Sequence, residues 1–365
     1  MNRALFLLCV CAVAPAFGRP SDSAGVTEGG PVQERRHADE IDDWCASSMK
    51  DNNLPGMAVG VFRDGKSILH RTYGKSNLET DTPVTNETVF RIASMSKQFA
   101  ASAIMLLVRD GKIKLDDRVG THLPDSPITW APVTIRHMLT HTSGIPEPKG
   151  FEYGGTYNSK SYFALFKDIP LSSEPGTVYA YSNHAYAALS LVVEAVSGKP
   201  MREFLRERVF NPLGMNRTYY FRMDDVIPGK ANGYTYTPNG YINRFPLRPQ
   251  VFDGSGGMLM TIGDYGKWDA ALHGTSILDD ATKQQMWTPY TLKSGKPTTY
   301  GFGWSISGTG ETLAVSHNGS TFGFTSRVKR HVKPKLTVVI FQNGAGKDGA
   351  INQLEAKISE RFLSP

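Results

Sequence analysis

Cysteine and long apolar segments are both scarce in this sequence. It has 365 residues and three cysteines, and two of these, Cys9 and Cys11, lie within the first eleven positions. No run of about 18 apolar residues follows them, so an ordinary membrane-spanning helix is excluded. If the segment that holds both is removed, Cys45 is left alone and an internal disulfide is excluded. Cys45 is therefore predicted to be a buried core residue rather than a nucleophile.

A dense basic cluster is also lacking. Lysine and arginine total 40 against 34 aspartates and glutamates, which gives a net charge of +6. The longest basic stretch, residues 327–335, alternates with apolar residues and is typical of an exposed strand. We therefore expect no nucleic-acid partner. The mild positive charge fits an anionic substrate or a wall surface.

The first residues have the layout of a secretory signal peptide. A short basic start precedes an apolar run over residues 4–13, and small residues follow it. Cleavage is expected after Ala16 or Gly18, which makes residues 1–18 the signal peptide. Residues 19–36 are rich in glycine, proline, serine and charge, and they are predicted to be a flexible leader. A secreted or periplasmic location follows, with no transmembrane segment in the mature chain.

The whole chain is 40% hydrophobic, so the remaining residues, 37–365, can bury a large core. Strand patterns near both ends and helical periodicity between them predict an α+β domain. Its predicted form is an antiparallel sheet built from both chain ends, flanked by terminal helices, with a mainly helical insertion at about 113–235. Predicted strands are 57–62, 66–73, 301–307, 312–317, 322–330 and 336–342, and predicted helices are 37–50, 94–108, 135–140, 162–166, 184–196, 201–209, 258–273 and 351–363.

Two motifs that suggest cofactor chemistry have a simpler structural interpretation. Residues 60–67 match the phosphate-loop pattern, but a strand-length segment follows them where the motif needs a helix. Asp64-Gly65 is typical of a hairpin turn. His137 and His141 lie one helical turn apart, yet no third metal ligand is suggested nearby. The helix dipole explains a histidine at the helix end, so neither a cofactor nor a metal is expected.

A serine and a lysine three residues apart carry the main chemical signal. Ser94 and Lys97 are neighbours on one face at the start of a predicted helix. The helix dipole favours an alkoxide there, and burial lowers the pKa of a lysine until it can act as a base. The alternative is that Ser94 caps the helix and Lys97 is a surface charge. The Gly-x-Ser-x-Gly pattern of an α/β-hydrolase is absent.

Two later motifs have the same double interpretation. Tyr181 can relay a proton beside a cation, and Asn183 can hold a carbonyl group; the alternative is that Ser182 or Asn183 caps the helix that follows. In the segment from His317 to Gly319, the glycine allows a substrate backbone to approach an edge strand and the histidine can bind an anionic group. The alternative there is a turn.

These three motifs, in this order, resemble those of the serine β-lactamase and penicillin-binding superfamily. The similarity is to its class C β-lactamase-related branch, which includes DD-carboxypeptidases, D-amino-acid peptidases and esterases. That branch carries Ser-x-x-Lys, then Tyr-x-Asn, then Lys- or His-x-Gly. The resemblance covers about residues 37–362 and implies the β-lactamase/transpeptidase-like fold. Matching flanks are found at 54–59, 139–144, 174–176 and 256–258.

The resemblance implies an acyl-enzyme mechanism. Ser94 attacks the carbonyl group, Lys97 accepts or holds its proton, and Tyr181 relays a proton to the leaving group. Asn183 orients the substrate, and the backbone amides of Ser94 and Ser320 form the oxyanion hole.

The third motif departs from class C β-lactamases proper, which usually have lysine where this chain has His317. A neutral imidazole holds a carboxylate less firmly than a lysine does. An efficient β-lactamase is therefore less expected. Gly319 of the same motif is expected to contact the substrate. Arg327 in the next strand is a candidate substitute anchor for a substrate carboxylate. The alternative for Arg327 is an exposed charge on an edge strand.

The leading hypothesis is a secreted serine hydrolase that acts on peptides or amides ending in a D-residue, as in cell-wall peptidoglycan. The second is a carboxylesterase on small acyl esters, or a weak β-lactamase. The third hypothesis is that the protein is not an enzyme but a non-catalytic scaffold that binds the cell wall. The joint presence of Ser94, Lys97, Tyr181 and Asn183 argues against the scaffold.

Overall fold

The computed structural model describes residues 32–152, 155–222, 224–244 and 252–364. The predicted signal peptide and residues 19–31 of the predicted leader lie outside these ranges. Within them, no helix combines the length and the apolar composition that crossing a bilayer requires.

Strands and helices come in runs along the chain, and the longer strands lie near its two ends. The strands are β1 (Gly56–Arg63), β2 (Lys66–Asn77), β3 (Thr82–Pro83), β4 (Phe90–Arg91), β5 (Tyr219–Tyr220), β6 (Gly233–Thr237), β7 (Gly240–Arg244), β8 (Met258–Met260), β9 (Ser305–Ser307), β10 (Ala314–Thr321), β11 (Phe324–His331) and β12 (Leu336–Gln342). The helices are α1 (Val32–Asn52), α2 (Ser96–Arg109), α3 (Val119–His122), α4 (Ile135–Leu139), α5 (Ser159–Ala164), α6 (Asn183–Ser197), α7 (Met201–Leu205), α8 (Asp253–Gly256), α9 (Ile262–His273), α10 (Asp280–Met286) and α11 (Ala350–Leu363).

The main sheet of the described chain has seven strands in the order β3-β2-β1-β12-β11-β10-β9. Its central pair is β1 and β12, which run antiparallel with Val59 opposite Ile340. Strands from the two ends of the chain are therefore hydrogen-bonded side by side. This confirms the predicted α+β fold with a sheet built from both chain ends.

The β1–β2 hairpin explains the phosphate-loop pattern. Asp64 and Gly65 have φ values of 49° and 74°, and β1 pairs with β2 on either side of them. Two successive residues with positive φ form the turn that matches the twist of a two-residue hairpin. The chain therefore continues as a strand at the point where a phosphate loop would begin a helix.

The terminal helices cover one face of the sheet. Alternate residues of β1 and β12 pack against α1 and α11, with Cys45 and Ile358 completely buried among them. The prediction that Cys45 is a core residue is confirmed. The opposite residues of these strands, such as Phe62 and Phe341, belong to the larger core beneath α2 and α9. Both faces of the central strands are thus buried, which accounts for their nearly continuous apolar sequence.

Several predicted boundaries differ from the structure, including the starts of two helices. Helix α1 begins at Val32 and so takes in residues 32–36 of the predicted leader, because the glutamine, glutamate and arginines there are good helix formers. The helix predicted from residue 258 begins at Ile262, where the Thr261 hydroxyl accepts the N–H of Asp264 as an N-cap. The three residues before that cap form β8, the centre of a small β4-β8-β5 sheet.

The segment between α2 and β8 contains α3 to α7 together with β5, β6 and β7. Its longest helix, α6, packs against α2 and α8. Helix α2 is buried on nearly all sides, because only its last residues, Val108 and Arg109, are more than slightly exposed. The N-terminus of α2 therefore lies in the interior of the molecule, and the turn just before it packs against β10.

Burial raises the pKa of the Cys45 thiol to about 12. Since the thiolate is the reactive form, we expect iodoacetamide at mildly alkaline pH to leave Cys45 unmodified in the native mature protein and to alkylate it in denaturing urea. Intact-mass measurement before and after unfolding checks this. A carbamidomethyl adduct on the native protein would contradict the buried position.

Candidate active site

Ser94 lies in a single 3₁₀ turn, Ala93–Met95, that leads directly into α2. Ala93 has a φ of 46°, a conformation that costs free energy for a residue with a side chain and that is concentrated at functional sites. The N-cap of α2 is Met95, and no side-chain capping bond is recorded for it among the described residues. The capping alternative for Ser94 is therefore wrong.

Lys97, in the first turn of α2, is completely buried. Its Nζ donates to Ser94 Oγ at 3.3 Å, to Asn183 Oδ1 at 2.8 Å and to the carbonyl oxygen of Ser255 at 2.7 Å. Three acceptors match the three N–H groups of an ammonium ion. The surface-charge alternative for Lys97 is therefore wrong, and the lysine ties together the starts of α2 and α6 and the short helix α8.

The Tyr181-Ser182-Asn183 segment lies at the N-terminus of α6. Ser182 is the N-cap, since its Oγ accepts the N–H of Ala185 at 3.1 Å. This confirms the capping interpretation for Ser182, while Asn183 contacts Lys97 as described above. Tyr181 is 43% exposed, and its ring centroid lies 4.8 Å from Lys97 Nζ. The Lys97 ammonium therefore lies over the face of the Tyr181 ring in a cation–π arrangement.

His317 is buried inside β10, with both ring nitrogens hydrogen-bonded. Nδ1 contacts the carbonyl oxygen of Asn318 at 2.6 Å and must donate to it, so Nε2 accepts from the Tyr300 hydroxyl at 2.8 Å. Burial, helped by the charge of Lys97, lowers the pKa of His317 to about 3. The imidazole is therefore neutral, and a carboxylate at this position would meet no positive charge from it.

Gly319 and Ser320 lie within the β10–β11 ladder near its hairpin end, opposite Ser326 and Thr325. The predicted alternative of a turn at this motif is wrong, because β10 continues to residue 321. A Cβ atom on Gly319 would lie 2.2 Å from the carbonyl oxygen of Ile92 and 2.3 Å from Ser326 Oγ. The glycine thus lets β10 pack directly against the turn that carries Ser94. The oxyanion-hole role of the Ser320 amide stays a prediction.

Arg327 lies in β11, which is flanked by β10 and β12, so the edge-strand alternative is wrong. Its guanidinium makes two hydrogen bonds to the buried carboxylate of Glu355, at 2.9 and 3.0 Å, and a third to Asn318 Oδ1 at 2.6 Å. Both of these donors, Nε and Nη2, meet the same oxygen, Glu355 Oε2, and a charge-assisted pair of this kind is strong. Arg327 is therefore bound to α11, and its role as a carboxylate anchor would require breaking this pair.

Two residues that the sequence reasoning did not assign to the site lie at its centre. His141 is completely buried, and its ring centroid lies 4.2 Å from that of Tyr181 and 4.6 Å from that of Tyr300. Burial and the nearby Lys97 hold the pKa of His141 well below its usual value. The helix-dipole explanation of His141 required a cation and is wrong. Tyr300 follows an irregular segment, where the sequence carries no periodic signal.

His137 and His141 do not share a helix face, since α4 ends at Leu139 and His141 has a φ of 58°. Within the described part of the chain, no group of three or more histidine, cysteine, aspartate or glutamate side chains is arranged to hold a metal ion.

A buried lysine that joins a serine hydroxyl to an asparagine, with a tyrosine over it, defines the site of a serine hydrolase. The β-lactamase family model matches residues 41–359 of the chain. The chain therefore belongs to the β-lactamase family.

Relatives in this family agree with that assignment. The chain is 29% identical to penicillin-binding protein 4* of Bacillus subtilis, over 90% of this chain and 76% of that protein. It is 26% identical to a D-aminopeptidase of Gluconobacter oxydans, over 79% of this chain, but it spans only 56% of that relative's length. The solved structure of an octameric penicillin-binding protein homologue from Pyrococcus abyssi has a TM-score of 0.75 and 26% identity, covering 88% of this chain and 77% of that one.

We expect Gly319→Ala to lower the acylation rate of Ser94 by about 10²-fold, because the added methyl group forces β10 away from the Ser94 turn and misplaces the reacting groups. Strain at such a contact also lowers the free energy of unfolding by about 1–3 kcal/mol. Stopped-flow acylation by an activated ester and urea denaturation measure the two effects.

The matched control is Gly263→Ala in α9, where the nearest atom to the new Cβ is Thr261 Oγ1 at 3.8 Å. It should leave acylation unchanged. Equal acylation rates in Gly319→Ala and the wild type would contradict the close contact between β10 and the Ser94 turn.

Proposed function

We propose that the chain hydrolyses peptides or amides that end in a D-residue, through an acyl-enzyme on Ser94. The observation that carries the proposal is the set of three hydrogen bonds from Lys97 to Ser94, Asn183 and Ser255. It brings a nucleophile, a cation and a substrate-binding amide to one point. The D-residue preference is supported by the likeness to a D-aminopeptidase and to penicillin-binding proteins.

The proposed reaction has two steps. In the first, the phenolate form of Tyr181 takes the proton of Ser94 Oγ, which attacks the carbonyl carbon, and the amides of Ser94 and Ser320 stabilise the oxyanion. Tyr181 then gives the proton to the leaving amine, the carbon–nitrogen bond breaks, and the acyl-enzyme remains. In the second step, water gives a proton to Tyr181 and attacks the ester, and the proton returns to Ser94 Oγ as the acid leaves.

The contacts of Lys97 favour its holding a charge over its accepting a proton. All three of its N–H groups have acceptors, one of which is Ser94 Oγ. The ammonium therefore stabilises the developing serine alkoxide, and it stabilises the phenolate of Tyr181 as well. Removing either stabilisation slows acylation, because the serine hydroxyl is a weak nucleophile without it.

The neutral His317 bears on the substrate. Since both of its ring nitrogens are engaged within the protein, it supplies no cation for a carboxylate on the leaving group. Within the proposed substrate class, the site therefore suits leaving groups that carry no carboxylate, as when the terminal D-residue is an amide. The same reasoning keeps a carboxylesterase as the second candidate, and it disfavours efficient hydrolysis of anionic β-lactams.

Location outside the cytosol is part of the proposal. It is supported by the signal-peptide pattern of residues 1–18 and by the likeness to penicillin-binding proteins. Cell-wall peptidoglycan is the partner that such a location and a D-residue preference suggest.

Incubation with benzylpenicillin is expected to leave a persistent adduct on the wild type and none on Ser94→Ala. Intact mass of the mature protein detects the adduct, and an assay of the remaining penicillin detects turnover. The matched control is Ser102→Ala, which removes a buried hydroxyl of α2 that donates to a backbone carbonyl away from the site. It should form the adduct as the wild type does.

Other outcomes select the alternatives. Penicillin consumed without an adduct would make the protein a β-lactamase. No adduct with the penicillin intact would favour the carboxylesterase. An adduct that persists in Ser94→Ala would refute Ser94 as the nucleophile.

We further expect an acylated D-alanyl-D-alanine amide to be cleaved with a kcat/KM at least equal to that of the free acid. A cationic anchor would favour the free acid by about 10-fold to 100-fold, the strength of a charged hydrogen bond. His317→Gln, which stays neutral, should leave the ratio unchanged. A preference of about 100-fold for the free acid would contradict the absence of positive charge on His317.

A further inference from the structure

His141 holds the backbone on both sides of Tyr181. The N–H of Ala180 donates to the carbonyl oxygen of His141 at 2.8 Å. The N–H of Ser182 donates to His141 Nδ1 at 3.0 Å. One residue thus fixes the two chain neighbours of the tyrosine, one through its backbone and the other through its side chain.

The ring of His141 also contacts the ring of Tyr181. The two centroids are 4.2 Å apart with an interplanar angle of 35°. Behind it, the imidazole is enclosed by Tyr186 at 4.9 Å and Tyr300 at 4.6 Å, and His141 is completely buried. The imidazole is therefore held rigidly, and the partly exposed ring of Tyr181 packs against it.

The hydrogen bond to Ser182 defines the form of the imidazole. Because Nδ1 accepts an N–H, the ring proton of the neutral form lies on Nε2. Nε2 has no hydrogen-bond partner among the described residues. Among the described residues, the imidazole therefore makes its hydrogen bond to the segment that carries Tyr181.

The backbone conformation of His141 is one that other residue types adopt more readily. His141 has a φ of 58°, the left-handed region that glycine and asparagine tolerate best. A strained conformation persists where the surroundings require the residue that adopts it. The contacts of the side chain with Ser182 and Tyr181 supply that requirement.

We propose that His141 is the positioning residue for Tyr181, and that it fixes the phenol beside Lys97 and Ser94 Oγ for proton transfer. The inference rests on the proposed function, since it assumes that Tyr181 moves a proton during acylation. It assigns His141 no contact with substrate and no proton of its own.

Two substitutions separate the side chain from the backbone. His141→Gly relieves the positive φ but removes both the acceptor and the ring. It is expected to lower kcat for an activated p-nitrophenyl ester by about 10²-fold with little change in KM, because a misplaced catalytic group costs rate rather than binding. His141→Asn keeps an acceptor near the Ser182 N–H and suits the left-handed backbone. It is expected to recover about tenfold of that loss.

A double-mutant cycle with Tyr181→Phe provides the readout that a merely structural role would not move. If His141 acts through the phenol, His141→Gly should cost less than about threefold once Tyr181 is phenylalanine. The matched control is His137→Ala, which removes another ring nitrogen that accepts a backbone N–H, that of Thr134 at 3.2 Å, outside the site. It should lower the melting temperature and leave kcat unchanged.

The outcomes are distinct. An equal loss from His141→Gly in the wild-type and Tyr181→Phe backgrounds would overturn the positioning role, as would a loss confined to melting temperature. Turnover that survives Ser94→Ala, or a wild type that accepts neither the ester nor penicillin, would refute the proposed function and this inference with it. Loss of turnover in Ser94→Ala together with strong coupling in the cycle supports both.

Discussion

The ammonium group of Lys97 is the charge around which the interior of this protein is organised. A buried charge is tolerated only when its hydrogen bonds are satisfied. Here the acceptors come from Ser94, Asn183 and Ser255, in three segments that are far apart in the sequence. Because this buried cation needs protein groups as its hydrogen-bond acceptors, it fixes the starts of α2 and α6 against α8. The same need holds the serine hydroxyl and the asparagine amide at one point.

Around this charge, the two buried histidines of the site are neutral and hydrogen-bonded. His317 is hydrogen-bonded to Tyr300 and Asn318, and His141 accepts from the backbone of Ser182. Two further positive charges so close to Lys97 would be costly, because burial and the lysine both disfavour an imidazolium. The histidines therefore serve as uncharged hydrogen-bonding groups, and the single positive charge of this cluster is the one beside the nucleophile.

Sequence reasoning reached the parts of the site that depend on local spacing. Ser94 and Lys97 are three residues apart on one helix, and Ser182 precedes a helix as an N-cap does, so their placement follows from short-range geometry. The roles of His141 and Tyr300 depend on contacts between distant segments. For His141 the competing effects differ in size. A helix dipole stabilises a cation by about 2 kcal/mol at most, whereas burying an unpaired charge costs several kcal/mol, so the imidazole is neutral.

The central β1–β12 pair has a consequence for how the chain is made. Its register joins Met57 to Gln342, so the middle of the main sheet is completed only by one of the last segments to be synthesised. Contacts of such high sequence separation form slowly, and a growing chain exposes the unpaired edge of β1 until β12 is available. The main sheet is thus completed only after the segments that lie between β1 and β12 in the sequence have been synthesised.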